Sequence, residues 1–63
     1  MQITDKEVQH IHERLREELL AVKKCLAYAD RLSDTQAKEL CQKLARKHQE
    51  HYDRLLQRLE ADL

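Results

Sequence analysis

Leu32-Ser33-Asp34-Thr35 is the stretch that decides the fold. On either side runs a long segment with helical periodicity. The question is whether this stretch joins two helices or lies inside one. Ser, Asp and Thr in succession are poor helix-interior residues, because their short polar side chains compete for backbone hydrogen bonds. The same residues are good N-caps, with Asp34 first and Ser33 second. The stretch therefore reads as a turn closing an antiparallel hairpin. A single continuous helix is the rival, and the absence of Gly and Pro from all 63 residues suits it. With no Gly at the first helix's end, that helix must finish on a less usual cap.

Upstream, Ile3-Thr4-Asp5-Lys6-Glu7-Val8 reads as a helix start. Thr4 is the N-cap, Glu7 completes a capping box, and Ile3 with Val8 forms a hydrophobic staple. The first helix is expected from about Asp5 to about Leu32, with an apolar line of Val8, Ile11, Leu15, Leu19, Val22, Leu26 and Ala29, flanked by Cys25 and Leu32. With Tyr28 these span nearly half the circumference, the width of a helix that touches two neighbours. Glu18 lies inside that arc and Glu17 outside it.

Downstream, the second helix is expected from about Thr35 to about Asp62. Its line is Ala37, Leu40, Cys41, Leu44, Ala45, Tyr52, Leu55, Leu56, Leu59 and Leu63, with one turn missing. Where the period asks for apolar residues stand His48 and His51. The fold class is thus all-α, one hairpin over residues 1–63, turning at 33–34. A chain below about 70–80 residues buries too small a core to stand alone without a staple or a partner. Dimerisation into a four-helix bundle is expected on that ground and on the breadth of the arcs.

Charge and composition bound the partners. Lys+Arg and Asp+Glu balance at 12 each, giving a net charge of zero, and no basic stripe is evident, which argues against nucleic acid. No apolar run approaches the roughly 20 residues of a membrane span. The first residues carry no secretion signal, so the cytoplasm is the expected address.

In a hairpin turning at Ser33-Asp34, position i faces roughly 67 − i. Glu18 then falls at a height between His48 and His51, and histidines at i and i+3 project from one side of a helix. A carboxylate and two imidazoles are ordinary ligands for a transition metal, zinc first and iron, manganese or nickel as alternatives. Two-fold pairing would bring two copies of Glu18, His48 and His51 into one core. A hydrogen-bonded polar layer that fixes register is the second reading of these residues. Histidines lying half wet on the rim are the third. His10 points outward and His12 lies at the edge of the arc. Cys25 and Cys41 face each other by the same register, as two small buried hydrophobes, a disulfide or a thiolate pair. No nucleophilic triad or Gly-rich loop is present, and Ser33 is turn chemistry.

Two longer stretches carry a resemblance. Glu17-Glu18-Leu19-Leu20-Ala21-Val22-Lys23-Lys24 with Tyr28-Ala29, and Leu40-Cys41-Gln42-Lys43-Leu44-Ala45 with His48-Gln49-Glu50-His51-Tyr52-Asp53-Arg54-Leu55-Leu56, resemble the short helical-hairpin proteins grouped with coat F-type spore coat proteins of Firmicutes. Those are similar to half of a ferritin-like bundle. The resemblance implies a spore coat or assembly role with other coat proteins as partners. It also implies a Glu from the first helix and Glu-x-x-His from the second as metal ligands. Glu18 and His51 match, whereas His48 stands in place of the second Glu, and Glu50 points off the core face. The set is richer in nitrogen than an oxygen-activating di-iron site, so a structural metal is expected before a ferritin-like metalloenzyme. A third expectation is a metal-free adaptor whose charged face, with Leu20 on it, docks a partner.

Overall fold

The computed structural model describes residues 3–62 and consists of two antiparallel helices, α1 (Asp5–Arg31) and α2 (Thr35–Ala61), packed along their length. The hairpin is 48 Å long and 15 Å across. Both helices have 27 residues.

Local chemistry accounts for the ends. The Thr4 hydroxyl accepts from the Glu7 backbone N–H at 3.1 Å, and the Glu7 carboxylate accepts from the Thr4 N–H at 3.3 Å, so the capping box closes. Asp34 accepts from the Ala37 N–H at 2.8 Å and starts α2. α1 stops without glycine: Leu32 goes to an extended conformation (φ −82°, ψ 135°) while its N–H still donates to the Tyr28 carbonyl. No described residue needs a positive φ at this turn. Leu32, placed last in α1 by the sequence pattern, is the capping residue beyond its end.

The interior differs from the expected apolar lines. On the turn side of the helix midpoints, the residues facing the other helix are small. Ala29 and Ala45 are buried and Ala21, Val22, Cys25, Ala37 and Cys41 are half-buried. Leu19, Leu26, Leu40 and Leu44, expected in the lines, are exposed, as is Tyr28. The three residues between the helices hold the ends of α1 and α2 together, and small side chains suit that close approach. Toward the open end the interior is built from large residues. Leu15 and Leu59 are buried and Val8, Ile11, Tyr52, Leu55 and Leu56 are half-buried. Leu63 lies outside the described residues. No described helix is long and apolar enough to cross a membrane.

Candidate metal centre

Glu18 is the central residue of α1 and His48 the central residue of α2, so the polar layer sits at the midpoint of the hairpin. The short turn sets this register: α1 ends at Arg31 and α2 starts at Thr35, so equal rise along two 27-residue helices brings their centres level. Glu18 is 5% exposed, the one charged residue among the buried ones described. An uncompensated carboxylate there would cost several kcal/mol, so its partners determine whether the fold tolerates it.

Three side chains supply the compensation. His51 Nδ1 lies 2.9 Å from Glu18 Oε2, and His48 Nδ1 lies 3.3 Å from Oε1. The Arg14 guanidinium lies 3.7 Å from Oε1 and 3.0 Å from the exposed Glu17 carboxylate. If the carboxylate is ionised it only accepts, and each contact then takes the tautomer with the proton on Nδ1. The two rings meet edge to face, 5.9 Å between centroids. No buried side-chain nitrogen or oxygen among the described residues is left without a partner.

Glu18, His48 and His51 each offer a ligand atom, and these atoms lie within 4.8 Å of one another. In a tetrahedral site with metal–ligand bonds of about 2.0–2.1 Å, neighbouring ligand atoms are roughly 3.3 Å apart. Measured from the one oxygen Glu18 Oε2, the His48 and His51 Nδ1 atoms at 3.4 and 2.9 Å are near that spacing; a separation of 4.8 Å is wider, so the two imidazoles would have to close up for all three side chains to meet one ion. A divalent ion replacing the two bridging protons would meet three protein ligands and keep a fourth position open for water.

The structure revises the surroundings in two respects. His48 is half-buried, but the His51 side chain is 48% exposed, so the layer opens to one side instead of closing within the hairpin. Arg14 was not among the sequence candidates. Its signal was the i,i+4 spacing to Glu18, which puts an Arg one turn from a buried carboxylate. His10 and His12 are both exposed. Cys25 and Cys41 are free thiols, each half-buried.

Compared with protein-family models, with curated proteins and with solved structures, the chain matches none.

Proposed function

We propose that the protein is a small self-associating helical module whose Glu18/His48/His51 layer binds a divalent transition metal, zinc first, at the centre of a two-fold four-helix bundle. One observation carries the metal reading: a buried carboxylate is met by two imidazole Nδ1 atoms at 2.9 and 3.3 Å, while the other buried residues among those described are apolar. Self-association is supported by the small core and by six large apolar side chains left exposed.

The ligand set favours zinc over oxygen-activating iron. It offers one carboxylate and two nitrogens per chain, whereas carboxylate-bridged di-iron sites take a Glu from every helix of the bundle. The role is therefore structural: the ion ties α1 to α2 at mid-height, and pairing would put two such sites in one core. The resemblance to coat F-type proteins fits an assembly component, with other coat proteins as further partners.

The second reading is a metal-free polar layer, favoured by the 2.9 Å imidazole–carboxylate contact, which is already a good hydrogen bond. Zinc titration of tag-free protein separates the two. The metal reading expects one ion per chain, proton release on uptake, and loss of uptake in Glu18→Gln. No stoichiometric uptake, together with His48→Ala leaving the thermal midpoint unchanged, overturns it.

A further inference from the structure

One side of the hairpin carries large exposed apolar residues from both helices, and the Glu18/His48/His51 layer opens onto it. On α1, Arg14, Ala21 and Tyr28 recur every seven residues and so form one line along the helix. On α2, Leu44, His51 and Arg58 form another, with Leu40 one turn before Leu44. Arg14 and Arg58 line the same groove at the open end, over the half-buried Ile11 and Leu55. The two lines therefore lie on the same side of the hairpin. Tyr28, 55% exposed, Leu40, 58% exposed, and Leu44, 40% exposed, share that side with the exposed edge of His51.

The opposite side is a weaker candidate. It presents Leu19 and Leu26 from α1, but Gln42 and Gln49 from α2 by the same seven-residue spacing, and Gln49 is already bonded to Asp53 at 3.1 Å. Leu20 stands apart, on the back of α1 among Glu13, Arg16, Glu17 and Lys23. The Tyr28/Leu40/Leu44 side is the one to which both helices contribute large apolar residues. Its extent, roughly 700 Å² from the 48 and 15 Å dimensions, is close to the roughly 800 Å² per partner of a stable interface.

From this we infer that a second copy of the chain docks on the Tyr28/Leu40/Leu44/His51 side, with both turns at the same end of the bundle. The inference rests on the dimeric reading above and adds the face and the direction. The direction follows from where the apolar residues lie. All three are on the turn side of the midpoint, and the open-end half has no exposed large apolar residue among those described. Only a two-fold axis along the hairpin lays apolar half on apolar half. It sets α1 of one copy against α2 of the other. In the 67 − i register Tyr28 then lies level with Leu40 of the second copy, and Leu44 nearly level with its Ala21, large against small. The same axis brings Lys6 and Arg58 of the two open ends toward each other, with Glu7 in the same groove and Arg14 already paired with Glu17 and Glu18. These charges are exposed and screened, so burial of the apolar residues outweighs their repulsion. The second copy covers His51 and closes the open side of the metal layer.

Sedimentation equilibrium of the unlabelled chain and pulsed electron–electron spin distances test this. The spin label is placed at Ser33→Cys in a Cys25→Ala/Cys41→Ala background that sediments like the native chain. Turns at the same end give a distance under about 25 Å, from neighbouring axes about 10 Å apart plus the labels, and turns at opposite ends give about 45 Å, from about 15 residues of rise on each side of the midpoint. Leu40→Glu, at an exposed position, is expected to weaken the dimer at least about tenfold while helical circular dichroism is retained. Added salt is expected to tighten it. A distance near 45 Å overturns the direction. Dissociation by Leu19→Glu/Leu26→Glu but not by Leu40→Glu overturns the face. A native chain that sediments as a monomer overturns the dimeric reading itself, and this inference with it.

Discussion

The two halves of the hairpin, either side of the Glu18/His48/His51 layer, use their apolar residues in opposite ways. The open-end half turns its large residues inward: Leu15 and Leu59 are buried, with Ile11, Leu55 and Leu56 half-buried behind them. The turn half turns its small residues inward and its large ones outward. Ala29 and Ala45 fill the interior there, while Leu26, Tyr28, Leu40 and Leu44 are exposed. Composition alone does not separate the halves, since each contains enough leucine for a core. The open end buries its large residues against one another, and the turn end, tied by a three-residue connection, leaves its large apolar side chains exposed.

Substitutions in each half probe this division. Truncating an inward residue of the open end should have the largest effect. Leu15→Ala or Leu59→Ala is expected to cost about 2–5 kcal/mol in urea unfolding at fixed protein concentration. Leu40→Ala should cost much less in the folding of a single hairpin and act on association instead; equal losses at Leu15 and Leu40 would remove the distinction between the halves. At the boundary, Glu18→Leu replaces a buried charge by an apolar side chain. The metal-free protein is expected to change little, because the partners left behind, His48, His51 and Arg14, all reach solvent, while zinc no longer raises the thermal midpoint. A large loss of metal-free stability would instead show that the polar layer itself holds the fold. In the turn half, Ala29→Leu or Ala45→Leu should destabilise by about 1–3 kcal/mol through overpacking. An unaffected variant would mean that the helices are farther apart there than the small residues imply. The smallest loss expected is that of Asp34→Ala, about 1 kcal/mol from the lost cap on the Ala37 N–H, read from thermal unfolding.

The hairpin itself was legible because its ends carry local chemistry. Thr4 with Glu7 and Asp34 with Ala37 act within one turn of the backbone, so the residues that start each helix can be read without knowing the packing. The height of Glu18 against His48 and His51 was legible by counting from the Ser33-Asp34 turn, since rise per residue is equal along both helices. Which part of each apolar arc faces inward was not. An arc nearly half the circumference contains both an inner line and an outer one, and Leu19, Leu26, Leu40 and Leu44 were assigned to the inner line on hydrophobicity. In the turn half the buried positions are taken by the small residues Ala29 and Ala45, which an assignment by hydrophobicity passes over. The exposure of His51 fits the third reading, histidines half wet on the rim, which the breadth of the arc did not separate from a buried position. Arg14 was overlooked because its role depends on Glu18 being buried, which spacing alone does not state.

The Glu18/His48/His51 layer joins the two halves, and crystals of protein soaked with zinc test the proposed metal site most directly. Data collected above and below the zinc absorption edge are expected to give an anomalous peak about 2.0–2.2 Å from a Glu18 carboxylate oxygen and from both Nδ1 atoms of His48 and His51. Featureless anomalous density at that position, with the imidazoles still donating to the carboxylate, would contradict the account and leave a hydrogen-bonded layer in its place.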